Sequence, residues 1–338
     1  MHDPVIMQAA AALDAGQLVA FPTETVYGLG ADAENPAAVA SIYAAKGRPQ
    51  DHPVIVHVAP GASLDYWTTG VPPEARQLAD AFWPGPLTMI LKRAPNIPDA
   101  VSGGQDTVGI RCPSHPVAIA LLQAFKNGKG GVAAPSANKF GHVSPTTAQH
   151  VRDEFGDDPR LAAVLDGGQS EVGIESTIVD LSRLATHGPV LLRPGHISAE
   201  AIAAVIDQMP ARPDTAAPRA SGTLESHYAP HTPVAMQDTA TLADTLARLA
   251  GAGRKVALIH YSAMPAVHAA VHLPATPEGF AHALYAALRA MDGTGADLIL
   301  VEAPPQEGAW LGVNDRLRRA AHGSSGIVHG LINNTPAF

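Results

Sequence analysis

The sequence predicts an α/β protein in two parts. The larger, N-terminal part (residues 1–206) is expected to hold one twisted mixed sheet with flanking helices. The smaller, C-terminal part (residues 234–338) is expected to be a three-layer α/β domain on a parallel sheet. Three observations predict this. Before residue 207, strand-length apolar runs and helical patterns mix without strict alternation, and several strands follow one another directly. Residues 207–233, QMPARPDTAAPRASGTLESHYAPHTP and its margins, are rich in Pro, Ala and polar residues and lack periodicity, as a linker does. From Val234 onward helix and strand alternate. A length of 338 residues suits two domains.

The first helix reads from its caps, with Asp3 as N-cap, Pro4 in the first turn and Gly16 at the end. Ile6, Ala9, Ala10 and Leu13 share its inner face. An apolar strand, Leu18 to Phe21, runs into a turn carrying Thr23, Thr25 and Tyr27. Gly28 and Gly30 let that turn fold tightly or let a ligand approach the backbone. Asn35-Pro36 starts a helix that ends at Lys46 and Gly47. PVIVHV is a strand, residues 72–82 a helix, and LTMILKR and DTVGIRCP are strands. Residues 115–127 read as an amphipathic helix with Val117, Leu121, Leu122 and Phe125 on one side. GVAAPSAN breaks from a short strand into a polar loop, and TTAQHVRDEF is a helix. AVLDGG, STIVDL and PVLLRPG are strands, and ISAEAIAAVI closes the domain. In the C-terminal part, helices over about 239–250 and 277–291 precede the strands KVALIHY and DLILVEA. NDRLRRAAHG reads as a last helix capped by Asn314 or Asp315.

Composition narrows the function. Hydrophobic residues make up 46% and charged residues 16%, enough for real cores. The net charge of −9 argues against non-specific nucleic-acid or membrane-surface binding, while leaving room for a local basic cleft. The single cysteine, Cys112, permits neither an internal disulfide nor a thiolate cluster, and suits a reducing cytosol. The first residues lack a basic n-region, so no signal peptide is expected, and the longest apolar runs are of strand length. The histidines are scattered. His227 and His231 are four apart with Pro230 between them, which argues against a helical zinc pair.

The cations and hydroxyls gather at strand and helix ends, where α/β proteins hold ligands. Lys46 and Arg48 flank a helix C-terminus, where the dipole favours cations in any case. Around the stiff Gly47-Arg48-Pro49 turn they equally suit an anion site. Arg111 and Arg193 each end an apolar strand before a proline. Two forked donors there suggest carboxylate or phosphate clamping, or salt bridges at the sheet's rim. Ser136, Asn138 and Ser144 lie in a glycine-containing loop that can hold phosphate oxygens or serve as turn and cap. Ser176 and Thr177 open a strand and point to opposite faces, so at most one meets a ligand. Cys112 reads as a packed thiol, and no Ser-His-Asp order is recognisable. Such a site positions and neutralises its reactants; it has no evident nucleophile.

FPTETVYGLG, KGRPQDHPVIVHV, TVGIRCP, APSAN, ESTIVDL and LLRPG, in that order, resemble the YrdC-like threonylcarbamoyl-AMP synthases. HYAP in the linker and NDRLRRAA near the end are similar to the long, two-domain form. The resemblance implies a YrdC-like N-terminal domain, a linker covering the active site and a Rossmann-like C-terminal domain. It implies synthesis of L-threonylcarbamoyl-adenylate from L-threonine, bicarbonate and ATP, with release of pyrophosphate, for threonylcarbamoyladenosine modification of tRNA in the cytoplasm. Thr25, His57, Arg111 and Ser176 would hold threonine, with Arg111 on its carboxylate. Arg48, His52, Thr107, Ser136, Ser144 and Arg193 would hold ATP, and Tyr228 would close over the nucleotide. Lys46 and Arg48 would be the catalytic cations. Mg²⁺ would be held mainly by the ATP phosphates. The stretch SGTLES before HYAP departs from the family's glycine-methionine pair and basic residues.

The chemistry this implies fits the residues. Threonine's amine takes up CO₂ as a carbamate, whose oxygen attacks the α-phosphorus of ATP. Two anions must be aligned and charge spread over phosphate oxygens, which cations and loop hydroxyls do. Two other readings compete. One is an RNA-binding module of the same fold without adenylate synthesis, against which the acidity counts. The other is a carbamoyl transferase like the module in hydrogenase-maturation enzymes, whose zinc-finger and acylphosphatase segments are not visible. The product would pass to the tRNA threonylcarbamoyl-transfer machinery, and no membrane or strong direct nucleic-acid binding is expected.

Overall fold

A computed structural model of the chain describes residues 3–225 and 227–333. The chain divides into two compact units between Thr223 and Leu224, with Gly141–Val143 grouped with the second. The expected linker is therefore shared, its residues up to Thr223 belonging to the first unit and those from Leu224 to the second.

The first unit is built on nine strands: β1 (Leu18–Phe21), β2 (Gly28–Asp32), β3 (Ile55–Val58), β4 (Leu87–Lys92), β5 (Thr107–Arg111), β6 (Gly131–Ala133), β7 (Leu161–Val164), β8 (Thr177–Asp180) and β9 (Val190–Arg193). They form one sheet in the order β7-β1-β2-β6-β3-β5-β4-β8-β9. The sheet is mixed as expected: β3 runs parallel to β5 and β4 to β8, while β1/β2, β4/β5 and β8/β9 are antiparallel. Most strands are buried throughout, because helices cover both faces. Pro4–Asp14 and Pro116–Ala124 pack with Val19, Phe21 and Val132 on one side. Pro36–Lys46, Pro73–Phe82 and Ala148–Phe155 pack with Leu29, Val56, Met89 and Ile110 on the other.

Two expectations for this unit change. Gly28 and Gly30 are strand residues in β2, not turn residues. A Cβ on Gly30 would stand 2.8 Å from the Phe21 ring and from Val132, so the missing side chain lets Phe21 lie across the strand. The helix expected over 115–127 stops at Ala124. Lys126 and Asn127 take left-handed backbone angles (φ 48° and 55°), and Lys126 Nζ reaches the Asp32 carboxylate at 2.8 Å and Glu34 at 3.2 Å. Phe125 is buried before that turn, with the Lys126 ammonium 5.1 Å from its ring. The distant carboxylates override the helical pattern.

Among the described residues the second unit has four strands, β10 (Val234–Gln237), β11 (Val256–His260), β12 (Ala269–His272) and β13 (Leu298–Glu302), all parallel in the order β10-β13-β11-β12. The expected helices span Thr239–Gly251 and Pro277–Asp292. β10 and β12 are additions to the sequence reading, being four residues long with three apolar positions each. NDRLRRAA, up to Ala320, lies within a helix, Leu311–Ala320, whose N-cap is Trp310 and C-cap Ala321, so neither Asn314 nor Asp315 caps it. Buried Trp310 ends a 3₁₀ turn and starts the helix early. Asp315 is then interior and binds Arg316 (3.0 Å) and Arg319 (2.9 Å). A further helix, Ile327–Asn333, follows it.

Candidate functional site

The β3/β5 pairing sets the site. His57 stands opposite Arg111 in register, and both side chains are buried. On the other side of β5, the antiparallel register Met89↔Ile110 brings Thr88 opposite Arg111 one step further on. Thr88 shares a 2.8 Å hydrogen bond with Ser176, just before β8. His57, Arg111, Thr88 and Ser176 thus form a row across neighbouring strands.

Arg111 does not stand at an open rim. Its Nη2 donates to Glu24 Oε1 at 2.6 Å, Nη1 to Thr25 Oγ1 at 2.9 Å, and Nε to the Gly85 carbonyl at 3.4 Å. The second Glu24 oxygen accepts the Ser114 amide at 3.0 Å. The Arg111–Glu24 pair is almost fully buried (4% exposed on each side), so its charges compensate each other out of water. Burial, with the Arg111 guanidinium beside it, pushes the pKa of His57 down from 6.5 to about 3. The imidazole is neutral at physiological pH, and its Nδ1 is buried without a hydrogen-bond partner. The ring meets Phe21 edge-on.

Arg193 leaves β9 and grips the Ser176 carbonyl through Nε (3.0 Å) and the Ser176 hydroxyl through Nη2 (3.1 Å). Its Nη1 donates to the Ser221 carbonyl at 2.7 Å. Ser176 and Thr177 do point apart, since the Thr177 hydroxyl bonds the Ile197 carbonyl instead. Arg48 donates to the Pro53 carbonyl at 2.7 Å and approaches the Ser221 hydroxyl at 3.5 Å. Arg48 and Arg193 therefore meet the same residue of the stretch before Thr223. That stretch is tied down by Arg219, whose backbone exchanges two hydrogen bonds with the Gln105 side chain. Its Ala220 packs with Ile55, Ile90 and Ile178. Thr107 is buried at the start of β5. Because Ile55 pairs with Gly109, Thr107 falls level with Pro53, at the Arg48 end of the strand. Thr107 and Arg111 lie about 13 Å apart along β5, at roughly 3.3 Å per residue.

Gly47, in the left-handed conformation, ends the helix that delivers Lys46 and Arg48. Lys46 is buried and donates to the Ser136 carbonyl (2.6 Å) and the Asn138 carbonyl (2.5 Å). Burial, then the neighbouring Arg48 charge, hold its pKa well below the ordinary lysine value. It thereby clamps the APSAN loop. Ser144 donates to Glu175 Oε1 at 2.5 Å. His52 is half-buried, 5.5 Å ring to ring from Phe140, with its pKa lowered by burial and by Arg48. Cys112 is buried beside Arg111, and burial followed by the Glu24 charge pushes its thiol up to about 12.

Tyr228 belongs to the second unit. It is buried in the left-handed region (φ 60°), against His227 (4.1 Å) and Tyr285 (5.7 Å), with Arg316 5.5 Å from its ring. A tyrosine holds that backbone conformation only where surrounding packing dictates it.

Sequence reasoning passed over Glu24 and Thr88, and gave no role to Glu175 or to Thr23 of the hydroxyl-bearing turn. The signal for Glu24 was present, as a charged residue between two threonines in a stretch bordered by apolar strands. Thr88 carried none, because its role depends on strand register.

Fold and site together define a class, a mixed-sheet α/β protein whose buried cations and hydroxyls converge from several strand ends. Comparison with known proteins narrows this. Residues 11–195 match the Sua5, YciO and YrdC family profile, described as telomere recombination. Residues 197–322 match the threonylcarbamoyl-AMP synthase C-terminal domain. The threonylcarbamoyl-AMP synthase of Pyrococcus abyssi is 40% identical over 326 residues, covering 93% of each chain. That of Bacillus subtilis is 40% identical over 334 residues, covering 95% of this chain and 94% of its own. The crystal structure of P. abyssi Sua5 complexed with L-threonine superposes with a TM-score of 0.85 at 38% identity, covering 94% of each chain. The chain belongs to the threonylcarbamoyl-AMP synthase family, in its long two-domain form.

Proposed function

We infer that the protein makes L-threonylcarbamoyl-adenylate from L-threonine, bicarbonate and ATP, releasing pyrophosphate, for threonylcarbamoyladenosine modification of tRNA. The observation that carries this is the row His57–Arg111–Thr88–Ser176, joined through Arg193 and Ser221 to Arg48. One sheet thus presents an amino-acid-sized polar end and a cationic end within a nucleotide's reach of each other. Family membership and the relative's complex with L-threonine support the same reading.

We assign Arg111, Thr25, His57 and Ser176 to threonine. Two guanidinium N–H groups of Arg111 remain beyond its bonds to Glu24, Thr25 and Gly85, and they suit a carboxylate. We assign Arg48, His52, Thr107, Ser136, Ser144 and Arg193 to ATP. Lys46 holds the loop carrying Ser136, and with Arg48 offsets the charge on the phosphates. Mg²⁺ enters with ATP as part of the substrate, its other positions taken by water and phosphate oxygens. The step itself needs no protein nucleophile. Fixed Arg111, by holding the carboxylate, and the neutral His57 orient the threonine, and the cations lower the repulsion between carbamate and triphosphate. The product is an activated carbamate for the transfer machinery that modifies tRNA. Among the described residues no helix is long and apolar enough to cross a membrane, and we place the enzyme in the cytoplasm.

Pyrophosphate release that requires both threonine and bicarbonate is the expected result. Release without threonine, or none with both present, would remove this reading.

A further inference from the structure

Within the site, one hydroxyl has a fixed polarity. Thr23 Oγ1 lies 2.6 Å from the Val26 carbonyl oxygen, which can only accept, so the single Thr23 proton points there. Thr23 Oγ1 is then an acceptor: the Thr25 and Val26 amides lie at 3.3 Å from it and the Thr25 hydroxyl, closest of the three at 2.9 Å, donates to it. Thr25 also accepts from Arg111 Nη1 at 2.9 Å. Its proton and one lone pair are thereby committed, and one lone pair remains. All three side chains are buried, at 2%, 1% and 4% exposure, so water does not scramble the order.

We propose that Thr23 is a positioning residue that keeps Thr25 an obligate hydrogen-bond acceptor, and that Thr25 thereby receives an N–H of the amino acid's α-amine. This rests on the assignment of Arg111 and Thr25 to threonine. A carboxylate on the Arg111 fork places the α-amine beside whatever adjoins that fork, and Thr25 adjoins it. An acceptor there takes one N–H and repels the carboxylate, which fixes the ligand's direction. The remaining face of the amine, once deprotonated, presents its lone pair to CO₂. Glu24 completes the arrangement by holding the other arm of the fork at 2.6 Å.

Thr23→Val keeps the shape and removes the acceptor, so the Thr25 proton is released toward the ligand. The expected result is a threonine KM raised about tenfold or more, the loss of one hydrogen bond to a charged group, with the ATP KM unchanged. Thr23→Ser, which keeps the hydroxyl, should restore the wild-type value. A Thr23→Val enzyme with wild-type threonine KM, or one whose two KM values rise together, would overturn the proposal. So would a Thr23→Ser variant no better than Thr23→Val. Thermal denaturation of each variant separates misfolding from altered recognition. Wild-type enzyme lacking threonine-dependent pyrophosphate release would instead overturn the underlying assignment.

Discussion

Arg111 carries two duties, and its neighbours separate them. It neutralises buried Glu24 and holds Thr25, and in the proposed assignment its outer N–H groups take the carboxylate of threonine. Arg111→Ala strips a buried carboxylate of its partner, at a cost of about 3–5 kcal/mol, so that variant is expected to unfold at markedly lower denaturant. Arg111→Lys keeps the charge and loses the fork. Steady-state kinetics should show its threonine KM raised about tenfold, from one charge-assisted bond, against a nearly constant ATP KM. An equal rise in both would contradict the assignment. His57 gives a second test, by pH. Its folded pKa of about 3 lies below the unfolded value near 6.5, so between these the unfolded chain holds a proton that the native protein lacks. Stability from this residue is therefore lost as pH falls from about 6.5 toward 3, by about 1.4 kcal/mol per pH unit. His57→Gln should flatten that limb of the stability–pH curve by one proton, and an unchanged slope would show that the histidine is not buried neutral.

The strands show what a sequence carries and what it does not. β3, β5, β8 and β9 are apolar runs between turn residues, and the arginines at the ends of β5 and β9 mark where they stop. β2 carries one large apolar residue, Leu29, among glycines, and became a strand only because β1 and β6 flank it. Gly30→Ala should test this. The added methyl meets Phe21 and Val132, and overpacking of about 1–3 kcal/mol is expected. Denaturant titration would reveal it, and unchanged stability would mean that the Phe21 ring moves freely. The left-handed turn after Ala124 was illegible for a different reason. Its lysine is held by Asp32 and Glu34, more than 90 residues away in sequence. The candidate site divides in the same way. Arg48, Arg111 and Arg193 were legible from their places at element ends, whereas the Arg111–Glu24 and Ser176–Thr88 pairings follow from tertiary register.

At the scale of the whole molecule, each unit has its own core, and the break in periodicity marked the region of the boundary without locating it at Thr223. Residues such as Ala211, Arg219 and Ala220 join the first unit through contacts that their Pro- and Ala-rich composition does not announce. The net charge of −9 bears on partners. Binding to unmodified tRNA is expected to be weak and to fade between about 50 and 200 mM salt. Filter binding that stays tight across that range would favour the RNA-module reading. The proposed reaction joins carbon from bicarbonate to threonine and to AMP in one product. Incubation with ¹³C-bicarbonate, L-threonine and Mg-ATP, followed by mass spectrometry, follows that carbon. The expected product is an adenylate carrying both threonine and the labelled carbon; an adenylate of threonine without the label, or AMP alone, would sink the proposed reaction.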